Sequence, residues 1–121
     1  MLDHILFFSH CDKVRQLYHE VLSTPKCEII PASDATTALL FLSINSFLSM
    51  VIYTTDAREI DIAALLRLRK RQQTLQKTRC ILVTDTPDLY HDMVLPEDTI
   101  LGIEDIDEMT IQGLIKAQVC P

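Results

Sequence analysis

Glycine is nearly missing from this chain of 121 residues, which holds only Gly102 and Gly113. Two distant glycines cannot build a phosphate-cradling loop, so the P-loop and the dinucleotide-binding fingerprint are excluded. Cations are also scarce. Eleven Lys and Arg stand against seventeen Asp and Glu, a formal net charge of −6. A chain this acidic has no broad electrostatic reason to bind nucleic acid directly. No apolar run approaches the ~18 residues of a membrane span. The N-terminal MLDHILFFSHCD carries an acid at Asp3 and no basic region, so it does not read as a signal peptide. A cytoplasmic location is expected. The four cysteines, Cys11, Cys27, Cys80 and Cys120, include no closely spaced pair. That argues against a zinc site or a dithiol redox motif, and Cys27 and Cys80 read as small core residues within strands. With 48% hydrophobic and 23% charged residues, the chain can close a core, and 1–121 reads as a single domain.

What is present is a set of short apolar runs, most of them continuous. They are Ile5–Phe8, Cys27–Ile30, Met50–Tyr53, Cys80–Val83 and Thr99–Ile103. Runs without alternation suit strands buried on both faces, as in a parallel sheet. Helical patterns lie between them. After Asp12, the residues Val14, Leu17, Tyr18, Val21 and Leu22 share one face, with Ser9 and Asp12 as candidate caps. Ser33 or Asp34 caps a second helix that runs to Asn45. A third opens near Asp61, with Ile62, Leu65 and Leu66 inward and Arg67, Arg69, Lys70 and Arg71 toward water. A short fourth helix is expected from Asp88 to Val94, and a fifth from Asp107, with Ile111, Leu114, Ile115 and Val119 inward. This alternation spells an α/β fold: a doubly wound five-stranded parallel sheet of (βα)5 type, with the flavodoxin-like strand order 2-1-3-4-5. Ligands of such folds sit at the carboxyl edge of the sheet. Here that edge offers Ser9, His10 and Cys11, then Thr54, Thr55 and Asp56, then Thr84 and Asp85.

The arrangement resembles the receiver domain of bacterial response regulators, the CheY-like family, over essentially the whole chain. In that family an acid pair after strand 1 holds Mg²⁺, an aspartate ending strand 3 accepts phosphate, strand 4 ends in Thr or Ser, and strand 5 ends in lysine. By position the acid pair falls on Ser9 and His10, and the phosphoacceptor on Thr54. Thr84 matches the strand 4 hydroxyl, and Asp61 matches an acid common just before helix 3. The lysine falls near Glu104, Asp105 or Ile106, none of them basic. A hard divalent cation wants clustered oxygen ligands, and a threonine is a poor phosphoryl acceptor without base and metal. The chain therefore resembles a degenerate pseudo-receiver, with no cofactor and no catalysis expected.

Three sharper readings stand beside it. Asp56 could be a displaced phosphoacceptor with Asp85 in a metal site. His10 could ligate a metal with Asp56 or Asp85. Cys11 could be the nucleophile of a cysteine-dependent phosphatase, although only three residues separate it from Arg15 and Asp12 opposes a bound phosphate. The run Arg67–Arg71 with Lys77 and Arg79 holds six of the eleven cations and reads as a wet face. Nine of the seventeen acids lie between Asp85 and Glu108. Among these, Asp88, Asp92, Glu97, Asp98, Glu104, Asp105, Asp107 and Glu108 form a candidate interaction face. The resemblance implies a signalling module that meets protein partners, a homodimer above all. It also implies transcription control, with a DNA-binding domain in the same full-length chain, or else a stand-alone adaptor.

Overall fold

A computed structural model describes residues 3–55 and 60–103. Five strands form one parallel sheet: β1 (Asp3–Phe8), β2 (Cys27–Ala32), β3 (Ser49–Thr54), β4 (Arg79–Thr84) and β5 (Thr99–Gly102). Their spatial order is β2-β1-β3-β4-β5, the expected doubly wound arrangement. The register aligns Phe8 with Ala32 and Ile52, and Thr54 with Thr84, so the strand ends that build the site share one edge.

The three central strands β1, β3 and β4 bury both faces, and side chains alternate between them. Leu6, Phe8, Met50, Ile52, Cys80 and Leu82 belong to one core layer, beneath α2 (Ala35–Ile44) and α3 (Ile60–Arg71). Ile5, Phe7, Val51, Ile81 and Val83 belong to the other, against Tyr18 and Leu22 of α1 (Asp12–Leu22). This explains why these three runs are continuously apolar. Tyr18 stacks on Phe7 with ring centroids 4.9 Å apart. Leu17, expected inward, is 47% exposed instead. Tyr18 and Leu22 form the buried part of the α1 interface, with Val14 and Val21 partly buried beside them.

The helix ends follow local chemistry. Asp34 caps α2, its Oδ1 accepting from the Thr37 backbone N–H at 2.7 Å. That bond, foremost, holds the Asp34 carboxyl below its ordinary range. At α1 the cap position is Cys11, and its side chain makes no capping bond. Ser9 and Asp12 do not serve as expected: Ser9 Oγ accepts from the Cys11 N–H at 3.2 Å, and Asp12 pairs with Arg15.

Two larger departures reshape the region around α3. The fourth helix is replaced by two 3-10 turns, Pro87–Leu89 and His91–Met93. Their bonds are of the i→i+3 kind, Leu89 N–H to Thr86 O, Tyr90 N–H to Pro87 O and Met93 N–H to Tyr90 O. A segment confined between Pro87 and Pro96 has little room to propagate an α-helical ladder. Second, Arg69 is not on a wet face but 1% exposed. Its guanidinium holds Asp98 at 2.5 and 2.7 Å and the Thr78 carbonyl at 2.8 Å. The Asp98 carboxylate also accepts from the backbone N–H groups of Cys80 (3.0 Å) and Leu95 (2.8 Å). This cluster ties α3 to the start of β4 and to the turn that leads into β5.

Cys27 and Cys80 are buried core residues as expected, whereas Cys11 is exposed. Burial pushes the Cys80 thiol up to about 12, and burial also raises Cys27. A thiol-specific disulfide reagent should therefore modify Cys11 rapidly, and Cys80 only when the chain unfolds. Peptide mapping of the labelled protein checks this. Labelling of Cys80 as fast as Cys11 would contradict the closed layer under α3.

Candidate functional site

The site is the carboxyl edge of β1, β3 and β4. Ser9 follows β1 and is 1% exposed. Its N–H donates to the Ala32 carbonyl at 3.2 Å, which extends the β1–β2 ladder by one step. Its carbonyl accepts from the Arg15 guanidinium. The Ser9 N–H is thus used by the sheet, and its carbonyl and hydroxyl by the β1–α1 loop and Arg15.

His10 is the next residue out along the loop. Its Nε2 stands 2.9 Å from Asp61 Oδ2, and its ring meets Phe8 edge-on with centroids 5.3 Å apart. The pair joins the β1–α1 loop to the first turn of α3 across the mouth of the site. Both side chains are about one-third exposed, at 33% and 37%. A pair so wet contributes only about 0.2–1 kcal/mol, and less in high salt. Its importance is positional: it engages the Asp61 carboxylate.

Thr54 ends β3 and is 2% exposed; Thr84 ends β4 and is fully buried. They are register partners. The Thr84 hydroxyl accepts from the Thr86 N–H at 3.1 Å and lies 3.3 Å from the Thr86 hydroxyl. Thr55 and Asp85 are exposed. The edge thus carries Ser9, His10, Thr54 and Thr84, with Asp61 as the partner of His10. Asp56 lies outside the described residues, as do Glu104, Asp105, Asp107, Glu108 and the whole of the expected fifth helix.

Among the described residues, the donor set at this edge does not fit a Mg²⁺ ion. Among the described residues no group of three His, Cys, Asp or Glu could hold a metal. Of the described carboxylates nearby, Asp61 is paired with His10, Asp12 is paired with Arg15, and Asp85 is exposed. Buried neutral hydroxyls offer a divalent cation little of what its lost hydration supplied. Cys11 lacks a phosphate cradle as well, since Arg15 is engaged by Asp12 and by the Ser9 carbonyl. Asp12 contributes a negative charge at that loop.

Of the acidic face, Asp88, Asp92 and Glu97 are exposed as expected, with Asp88 3.4 Å from His91. Asp98 is not part of it. Its side chain is 0% exposed, because it neutralises Arg69 inside the protein. Among the described residues, no helix is long and apolar enough to cross a membrane.

No protein-family model matches the chain, and no curated protein sequence matches it. Solved structures do. A response regulator receiver protein from Sinorhizobium medicae superposes with a TM-score of 0.79 at 11% identity, covering 98% of this chain and 94% of that one. The signal receiver domain of an HD domain-containing protein from Pseudomonas fluorescens gives 0.78 at 21% identity, covering 98% and 95%. The CheY-like receiver domain from Methylobacillus flagellatus gives 0.76 at 12% identity, covering 98% and 99%. At such identities the likeness concerns backbone architecture, and the chemistry has to be read from the side chains of this chain. The fold is that of a response-regulator receiver domain.

Proposed function

We propose that this chain is a phosphorylation-independent signalling module of the receiver type, acting through protein–protein contact as a homodimer. The observation that carries the reading is the chemistry of the carboxyl edge. Ser9, Thr54 and Thr84 are buried hydroxyl residues, and the Asp61 carboxylate at the mouth is already paired with His10. An aspartyl-phosphate switch works because metal and phosphate bind one conformation better than the other. With neither ligand held, control passes to partner binding and abundance. The exposed acids Asp88, Asp92 and Glu97 are the described part of the surface assigned to the dimer. Its place in the cell is transcription control, as one domain of a longer regulator or as an adaptor.

Incubation with acetyl phosphate and Mg²⁺ should leave the intact mass unchanged, and sedimentation at high micromolar concentration should give a dimer. A phosphoryl adduct mapped to Asp56 would establish a working receiver with a displaced acceptor and overturn the reading. A strict monomer would remove the dimer. A phosphatase activity abolished by alkylating Cys11 would make the protein an enzyme instead.

A further inference from the structure

We infer that the groove between α3 and the two 3-10 turns is a docking site for an acidic, apolar-anchored segment of a protein partner. This inference does not rest on the fate of the phosphorylation pocket or on the dimer. The groove has a volume of about 430 Å³ and is lined by Arg67, Lys70, Arg71, Leu89, Asp92 and Met93. One wall is therefore three cations from successive turns of α3. The other carries Leu89, which is 54% exposed, beside the partly buried Met93.

Ordinary structural duties account for only part of that wall. Arg69 is consumed by Asp98, and Lys70 Nζ donates to the Asp92 carbonyl at 2.7 Å, which fixes the second turn against α3. Cations in the last turn also suit the helix dipole. Arg67 lies a turn earlier. Arg67 and Arg71 are exposed, and among the described residues neither has a hydrogen-bond or ion-pair partner. At i, i+3 and i, i+4 spacing the three like charges repel by about 0.2–0.5 kcal/mol per pair in an isolated helix. A chain of net charge −6 thus concentrates unneutralised positive charge at one place, beside an exposed leucine.

Charge complementarity names the occupant. Two unpaired guanidiniums ask for carboxylates, which they bind in planar, two-pronged fashion. Leu89 and Met93 ask for an apolar side chain, and methionine adapts its shape to an anchor. No aromatic residue lines the groove, so it lacks the stacking platform that single-stranded nucleic acid uses. The single acid, Asp92, leaves the wall net positive.

The test uses a short fluorescein-labelled peptide of interspersed glutamates and leucines, its lysine-for-glutamate counterpart, and the full chain. The glutamate peptide should bind saturably and weaken in high salt. Amide shifts should centre on Arg67, Arg71, Leu89 and Met93. Arg67→Glu with Arg71→Glu should lower affinity at least tenfold, about 1.4 kcal/mol, and Leu89→Ser should weaken binding without changing its salt dependence. Equal binding of the lysine peptide, absence of binding, or shifts elsewhere would overturn the proposal. So would tighter binding of a single-stranded oligonucleotide, or of vesicles containing phosphatidylglycerol. Salt-sensitive self-association lost in the Arg67→Glu/Arg71→Glu variant would assign the groove to a second copy and likewise overturn it. The amide mapping uses the unaltered protein, so it stands even if a variant folds poorly. A monomer by sedimentation would remove the dimer while leaving peptide binding intact, so the two readings fail separately.

Discussion

Asp98→Ala should lower the free energy of unfolding by roughly 3–5 kcal/mol, the cost of breaking a buried ion pair from one side. The structure gives two reasons to expect the upper part of that range. Arg69, 1% exposed, would keep only the Thr78 carbonyl as a partner, with its charge sealed inside. The N–H groups of Cys80 and Leu95 would lose their acceptor as well, and unsatisfied buried donors cost about 1–3 kcal/mol each. Arg69→Met should cost less. There the Asp98 carboxylate retains both backbone donors, and methionine fills much of the arginine stem's volume. Urea unfolding of the three proteins checks the order: wild type most stable, then Arg69→Met, then Asp98→Ala. Equal stability of Asp98→Ala and wild type would mean that the cluster opens to water and is not a true core contact. Such a loss is a large part of the ~5–15 kcal/mol that holds a domain folded, so the variant belongs at low temperature.

The same cluster shows where sequence reading succeeds and where it stops. Apolar runs announce all five strands, and those of β1, β3 and β4 are continuous because the middle of a parallel sheet, covered on both faces, leaves no polar side to alternate with. The stripe Ile62, Leu65 and Leu66 announces the inner face of α3, and all three are buried. Arg69 continues that stripe at i+3 and i+4, so its position points inward while its charge points outward. Charge is the wrong guide, because the compensating acid lies 29 residues away and only the fold brings it near. Placing Asp98 on the exposed face is the mirror image of the same error. The expected fourth helix fails for a local reason: Pro87 and Pro96 both stand in the sequence, and their restriction outweighs the periodicity between them. At the carboxyl edge, position along the strands is enough to place Ser9, Thr54 and Thr84, because strand ends are fixed by register. The His10–Asp61 contact, across 51 residues, has no signal short of the folded sheet.

Placing acids at the positions that the receiver resemblance assigns to them should convert the edge into a metal site at the expense of the metal-free fold. Ser9→Asp, His10→Asp and Thr54→Asp together place carboxylates where Ser9 is 1% and Thr54 2% exposed. The change at His10 also removes the partner of Asp61, which stands 2.9 Å from His10 Nε2, and leaves an acid facing an acid. Burial and like charge both disfavour the ionised forms, so the triple variant should unfold at a lower temperature without metal, and more so as pH rises and the carboxylates are forced to ionise. Mg²⁺ should reverse the loss, because it binds only the folded cluster; at a hundredfold excess over its dissociation constant the gain is about 2.7 kcal/mol. The wild type should show no Mg²⁺-dependent change at all. Thermal unfolding of both proteins across a Mg²⁺ series reads these outcomes directly. Stabilisation of the wild type by Mg²⁺ would mean that the unaltered chain already assembles a metal site, and the phosphorylation-independent reading would fall. A triple variant insensitive to Mg²⁺ would locate the obstacle in the backbone of the edge rather than in three side chains. The Arg15 guanidinium on the Ser9 carbonyl and the Thr86 N–H on the Thr84 hydroxyl would then be the contacts to release first, because both hold polar atoms that a metal–phosphate cluster would otherwise share.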